Sequence, residues 1–329
     1  MKLFFNGLLA LTWLSISACA GVNLQNSTPF PVPHGSNILG VFQGDTPCGT
    51  QAKALLQIAS DSDCDQMIWS LVLYQDPQTK APTTYQLNSA YGLSKQGTND
   101  LIGGGTPVVR EGSWTITTGT KTDPNAIVYQ INPEDPQTTV SFLRVDENLI
   151  HVLNSDKTLL VGNGAWAYTL NRMDNQNLAP STPLPDSFPE PPTRPPLPPM
   201  PEGSSVFGVF DGRTPCHPLV IEFSKFPASN GCLKIKWRLT LYQDSVTGAP
   251  NSYLFMGTST FREGSWTIVH GLEGDPDAVV YQLQVYEAQQ PVSFLRVDEN
   301  HLFLMDRSMH LLVGNELFSY TLSRNDQVK

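Results

Sequence analysis

The chain repeats itself over most of its length, so its two halves must adopt the same fold. The opening motif Gly-Val-Phe-Gln-Gly-Asp-Thr-Pro-Cys at 40–48 returns 168 positions later as Gly-Val-Phe-Asp-Gly-Arg-Thr-Pro-Cys, identical at seven of nine residues. Further on, Arg110–Ile116 recurs unchanged after 152 positions. The first copy therefore carries 16 extra residues, between Leu87 and Val109. Repeats this long are whole domains rather than the units of a solenoid.

Length and charge limit the number of domains and the classes of binding partner. A chain of 329 residues suggests two domains, which we place at 38–172 and 205–329. The formal net charge of −10 argues against nucleic acid as a partner, since nucleic-acid binding requires a basic surface. It argues equally against electrostatic adhesion to an anionic membrane.

The hydrophobic pattern predicts an all-β fold. Met67–Tyr74 alternates its side chains between two faces, as in a strand. Similar short runs recur between turn signals, and we also predict strands at Ala54–Ile58, Thr158–Val161 and Pro218–Phe223. About eight or nine such strands per copy, closely spaced, favour two tandem antiparallel β-barrels, because closure removes exposed sheet edges.

The N-terminal residues are typical of a targeting segment. Residues 1–18 combine Lys2 with a mostly apolar run that is too short to span a bilayer. The run ends in Ile-Ser-Ala-Cys, which resembles a bacterial lipobox and implies cleavage before Cys19 and acylation of that residue. The alternative is an ordinary signal peptide cut near Ala18 or Ala20. Residues 19–37 are then a tether to the first domain.

The remaining four cysteines form two repeated pairs. Cys48 and Cys64 are 16 positions apart, as are Cys216 and Cys232. Of the three possible connectivities, the repeat favours one disulfide bond within each domain. Four thiolate ligands for a metal are the alternative, although the spacing is not that of a zinc site.

A proline-rich segment separates the two copies. The predicted linker covers 173–204, and 11 prolines fall between 180 and 201. Such a composition favours extended polyproline II, so we expect a semi-rigid spacer that keeps the barrels apart. The alternative is a docking peptide for an aromatic-lined groove.

Both copies resemble the N-terminal domain of the NlpE family of envelope lipoproteins. The resemblance rests on a Gly-x-Phe-x-Gly-x-x-Pro-Cys opening and a later Gly-x-Trp strand. The matching residues are Gly40, Phe42, Gly44, Pro47, Cys48, Gly112 and Trp114, and then Gly208, Phe210, Gly212, Pro215, Cys216, Gly264 and Trp266. The resemblance implies a lipocalin-like barrel and a role in copper homeostasis, adhesion or envelope-stress signalling.

One departure from the family pattern bears on copper. The family motif usually continues as Pro-Cys-x-x-Cys, whereas here the second cysteine follows 16 residues later, so copper binding by that motif is not transferable. Another set of soft ligands is available in the second copy alone, where copper is a possible cofactor. It comprises His301, Met305, Met309 and His310. The alternative is that His301 and Met305 belong to the barrel wall and the other two to a turn.

Signals of an enzyme are poor. The repeated acidic pairs Asp146-Glu147 and Asp298-Glu299 fall at predicted hairpin tips, where we expect turn-forming, solvated carboxylates rather than acid–base catalysts. Ser113 and Ser265 lie in Gly-Ser-Trp, not in a nucleophile elbow. The repeated tryptophans, Trp69, Trp114, Trp237 and Trp266, favour core packing.

These observations lead to one expected function and two alternatives. We expect a non-enzymatic protein of the bacterial cell envelope, anchored by its lipid on the periplasmic side, most simply in the outer membrane. Its partner would be another envelope protein. The alternatives are a lipocalin-like carrier of a small apolar ligand and a copper-binding protein. An empty barrel interior favours the carrier, and a filled one favours interaction.

Overall fold

The computed structural model describes residues 30–175, 198–225, 232–257, 260–285 and 290–325. It contains two closed, eight-stranded antiparallel β-barrels in tandem, as the sequence predicts. Among the described residues, no helix is long and apolar enough to cross a membrane.

Barrel 1 is built from strands that pair in chain order. The first strand closes the barrel against the last, with Phe42 opposite Arg172 and Gln43 opposite Asn171. The strands are β1 Ile38–Pro47, β2 Gln66–Gln75, β3 Pro82–Gly92, β4 Thr106–Thr118, β5 Ile127–Ile131, β6 Val140–Arg144, β7 Leu149–Val152 and β8 Thr169–Arg172.

Barrel 2 repeats this order and closure. Its first strand pairs with its last through Asp211 and Ser323, and through Phe210 and Arg324. The strands are β9 Ser204–Pro215, β10 Lys234–Asp244, β11 Pro250–Met256, β12 Phe261–Leu272, β13 Asp275–Leu283, β14 Val292–Arg296, β15 His301–Leu304 and β16 Thr321–Arg324. The extra residues of the first copy lengthen β3 and form the β3–β4 connection, which includes a short 3-10 helix, Ile102–Gly104.

A short helix follows the first strand of each barrel, where the sequence predicted a strand. These helices are α1, Thr50–Leu55, and α2, Pro218–Ser224. The predicted strands at Ala54–Ile58 and Pro218–Phe223 are therefore wrong. A short apolar run does not distinguish a buried strand from a helical turn. In α2 the helix is set locally, because Pro218 occupies the first turn and the His217 ring accepts a hydrogen bond from the Leu219 amide.

The segment Thr158–Val161 is also not a strand. It contributes one isolated bridge, between Leu153 and Leu159. Beyond that bridge, its backbone departs from the sheet toward the second barrel, where the Leu160 carbonyl accepts a hydrogen bond from His301.

Aromatic side chains fill the interior of each barrel in the same way. In barrel 1 the Trp69 indole donates to the Thr46 hydroxyl at 2.8 Å and packs edge-on against Phe142. The equivalent Trp237 donates to Thr214 at 2.9 Å. Trp114 and Trp266 each donate to a backbone carbonyl of the second strand. All four tryptophans are buried, so they are core residues with satisfied N–H groups.

The two barrels pack directly on each other. Val297 of barrel 2 packs against an apolar cluster of barrel 1 that includes Leu143 and Leu153. The expectation that the proline-rich segment keeps the barrels apart is therefore wrong, because each barrel carries a surface that the other buries. Most of that segment, residues 176–197, lies outside the described residues.

Candidate functional site

Each barrel contains one disulfide bond, joining the cysteines that the repeat pairs. Cys48 is bonded to Cys64 and Cys216 to Cys232, with Cα atoms 5.6 and 5.7 Å apart. Each bond closes the segment that holds the short helix. The four sulfurs are thus not available as thiolate ligands, and the bonds suggest an oxidising, extracytoplasmic compartment. Cys19, the predicted lipidation site, lies outside the described residues.

The repeated acidic pairs shape the hairpin turns. The Asp146 carboxylate accepts hydrogen bonds from the amides of Asn148 and Leu149 at 2.7 and 2.8 Å. Asp298 accepts likewise from Asn300 at 2.8 Å. The expectation that these groups are solvated is wrong for Asp298, whose side chain is only 10% exposed. The reason is that its hairpin lies against the other barrel, beside a buried histidine.

The four candidate copper ligands have different environments. His301 and Met305 are buried, whereas the His310 side chain is 79% exposed. Met309 has a positive φ of 66° in a turn closed by the Asp306 amide and the His310 carbonyl. Within the part of the chain that the structure describes, no group of three or more His, Cys, Asp or Glu side chains could hold a metal ion.

The barrels meet through the outward faces of β7–β8 and β15–β16. In β8 the side chain of Leu170 points into the barrel 1 core, and Thr169 and Asn171 on either side of it point outward. In β16, Leu322 lies in the core of barrel 2, between outward Thr321 and Ser323. All four outward side chains are nevertheless buried, at 0–2% exposure, because the opposite barrel covers them.

A network of hydrogen bonds centred on two buried histidines crosses this interface. The His151 and His301 rings are fully buried, and their centroids lie 4.7 Å apart in an edge-to-face arrangement. Nε2 of His151 lies 2.8 Å from the carbonyl oxygen of Leu160, and Nε2 of His301 lies 3.0 Å from the same oxygen. We call these three residues, with Thr169 and Asp298, the histidine network.

The contacts of His151 define its protonation state. A carbonyl only accepts, so His151 Nε2 donates to Leu160. Burial, reinforced by the adjacent His301, lowers the pKa of His151 to about 3, so the ring is neutral near pH 7. Its Nδ1 therefore accepts from the Thr169 hydroxyl at 2.9 Å. Because the Thr169 hydroxyl donates its proton to His151, the Thr169 oxygen accepts a hydrogen bond from the Thr321 hydroxyl at 2.9 Å. This bond links the barrels.

The hydrogen-bond partners of His301 differ from those of His151. Its Nδ1 lies 2.7 Å from the Asp298 carboxylate. Burial raises the pKa of Asp298, but the hydrogen bond and positive charge of His301 outweigh burial and bring it below the ordinary value. The ionised carboxylate and the Leu160 carbonyl only accept hydrogen bonds, so both ring nitrogens of His301 face acceptors. Neither nitrogen is left for a metal ion in this arrangement.

Two further side chains join the barrels through backbone groups. Asn171 accepts from the Gly314 amide at 2.8 Å and donates to the Asn315 carbonyl at 2.8 Å. From barrel 2, the Ser323 hydroxyl accepts a hydrogen bond from the Gly162 amide of barrel 1 at 3.2 Å. Buried hydrogen bonds of this kind fix the relative orientation of two packed surfaces.

A small depression lies beside α2. Its volume is about 30 Å³, enough for a water molecule or two and far below the several hundred Å³ of a typical ligand pocket. It is lined by Leu219, Glu222, Phe223, Val285, Gln290, Pro291, Val292 and Arg307.

Among these interface residues, only His301 and Asp298 were singled out from the sequence, Asp298 as a turn residue. Thr169, Asn171 and Ser323 alternate with core leucines, a pattern that also describes a strand with one face in water. The available signal was the recurrence of Tyr-Thr-Leu at 168–170 and 320–322.

Comparisons with protein-family models, curated proteins and solved structures find no match to this chain.

Proposed function

We propose that this chain is a non-enzymatic, lipid-anchored envelope protein that acts by binding another envelope protein. The observation that carries the proposal is that, among the described residues, buried side chains pack the core of both barrels. In barrel 2, Phe223 of α2 stacks on Trp237 at 5.3 Å and contacts Phe255 at 4.9 Å. Because the chain's own side chains occupy the space that a carrier would give to its ligand, the outer surface remains for recognition.

Several features support this assignment. The two disulfide bonds suit an oxidising compartment, and the resemblance to the NlpE family supports anchoring through Cys19 and a role in surveillance of the envelope. We do not extend the family's copper chemistry to this chain, since its paired cysteines are bonded and His301 has both nitrogens engaged.

Matched positions on the outer surface allow a direct test. Ile116 of β4 and Ile268 of β12 are equivalent in the repeat and are 46% and 37% exposed. A photo-crosslinking residue at either position is expected to capture the same envelope protein in intact cells. The matched control is a crosslinker in place of fully buried Leu71. The Cys19→Ala variant should lose membrane association in fractionation and lose the crosslink with it.

Other outcomes would overturn the proposal. If the Cys19→Ala variant fractionates with membranes as the unchanged protein does, the lipid anchor is wrong. If native mass spectrometry of the purified protein shows a stoichiometric apolar molecule, and no protein is crosslinked, the carrier is the better description.

A further inference from the structure

The contacts between the barrels obey an approximate two-fold symmetry. Positions 152 apart are equivalent in the later part of the repeat. Thr169 and Thr321 are equivalent by this rule, and they bond to each other across the interface. His151 and Phe303 are likewise equivalent, and their rings meet at 6.1 Å. Residues that contact their own equivalents lie on the axis of a two-fold pair.

Contacts away from the axis come in reciprocal pairs. The Asn171 side chain of barrel 1 accepts from the Gly314 amide of barrel 2. The equivalent Ser323 side chain of barrel 2 accepts from the Gly162 amide, which is equivalent to Gly314. If position i of one unit contacts position j of the other, and j contacts i in return, the interface is isologous. This is the geometry by which two copies of one protein form a closed dimer.

We propose that the outward face of β7–β8 and the equivalent face of β15–β16 form a two-fold dimer interface that holds barrel 1 and barrel 2 together without the linker. The tandem chain holds such a pair within one polypeptide. The proposal does not depend on the function assigned above, because it rests only on contacts between the barrels.

The departures from symmetry favour the pairing of unlike barrels. Nε2 of His301 reaches the Leu160 carbonyl, whereas the equivalent Leu149 has no polar side-chain group to offer. Near the edge, Arg213 of barrel 2 lies 5.9 Å over the ring of Trp166 of barrel 1. The position equivalent to Arg213 in barrel 1 is Asp45, of opposite charge. Two copies of barrel 1 would thus lack contacts that the unlike pair makes.

Cutting the linker tests the proposal on the whole protein. A protease site placed within 180–195 allows the folded chain to be cleaved between the barrels. Neither disulfide bond crosses the cut, so only the interface can hold the halves together. We expect the cleaved halves to co-elute as one particle in size-exclusion chromatography with light scattering at micromolar concentration. Separate elution of two folded halves would overturn the proposal.

Variants on the axis test the symmetry itself. Because Thr169 and Thr321 contact each other, Thr169→Arg and Thr321→Arg should each weaken the association of the cleaved halves about 30-fold or more, by similar factors. Val246→Arg, at a site 90% exposed, is the matched control and should change nothing. Near-ultraviolet circular dichroism verifies that each half is folded. If folded variant halves associate as tightly as the unchanged ones, or only one variant acts, the assigned surface is wrong.

Discussion

At the scale of single residues, His151 shows how one ring can be fixed in its neutral form. Its two nitrogens have opposite roles, one donating to Leu160 and one accepting from Thr169. The titratable groups beside it are the His301 ring and, beyond that, the Asp298 carboxylate. Protonating His151 would bury a cation in a dry interface, where its nitrogens contact only a hydroxyl and a carbonyl, which is costly.

This arrangement predicts acid sensitivity. The pKa of His151 is lowered to about 3 in the folded protein, from an ordinary value of 6.5. Its neutral form therefore stabilises the fold fully above about pH 6.5, and this stabilisation is lost as the pH falls toward 3. Relative to His151→Phe, the unchanged protein should lose about 1.4 kcal/mol of unfolding free energy per pH unit between pH 6 and 4.

Urea unfolding of the two proteins across this pH range measures the difference. Phenylalanine is a suitable replacement because Phe303 occupies the equivalent position. The pKa of Asp298 is also lowered, so its protonation destabilises the fold as the pH falls. This loss occurs in both proteins, and subtracting one stability curve from the other removes it. Val246→Phe, at a site 90% exposed, is the control and should leave the pH dependence unchanged. Parallel curves for the unchanged protein and His151→Phe would contradict this account.

At the scale of elements, the sequence predicted the strands better than the helices. Strands such as β2 show alternation over enough residues to be recognised, and the duplicated motifs locate their partners in the second barrel. The helices span six and seven residues, too few for a helical period to appear. The burial of Leu219 and Phe223, four positions apart, depends on a barrel end that the sequence does not show.

The two helices should differ in how much they stabilise their barrels. Phe223 is buried and stacks on Trp237, whereas the equivalent Leu55 of α1 is only half-buried. Phe223→Ala should lower the free energy of unfolding by about 3–5 kcal/mol, because it opens a cavity against the indole. The matched Leu55→Ala should cost about 1 kcal/mol, since Leu55 is only partly buried and packs at the edge of the core. Urea unfolding followed by tryptophan fluorescence compares them, and equal losses would exclude a larger role for α2.

At the scale of the whole molecule, duplication explains why the polar outward faces are buried. A single barrel would expose Thr169, Asn171 and His151 to water, as the sequence pattern suggests. The second barrel supplies the matching face: Thr169 and Asn171 form hydrogen bonds across it, whereas both ring nitrogens of His151 are satisfied within barrel 1 and the second barrel only covers the ring. The interface could not be predicted from alternation alone, because a strand with one solvated face and a strand in a dimer interface have the same pattern.

The last prediction concerns the cooperativity of the two barrels. Each barrel has its own core and its own disulfide bond, so each could unfold separately if the interface were weak. The buried histidine network and the packing of Val297 couple them, so calorimetry should show a single unfolding transition for the intact chain. Val297→Asp places a charge against the apolar cluster of barrel 1 and leaves the barrel 2 core unchanged, so it should split that transition into two. Val246→Asp lies in an exposed turn and should preserve the single transition. Two transitions in the unchanged protein, or a single one in Val297→Asp, would show that the barrels are not coupled through this surface.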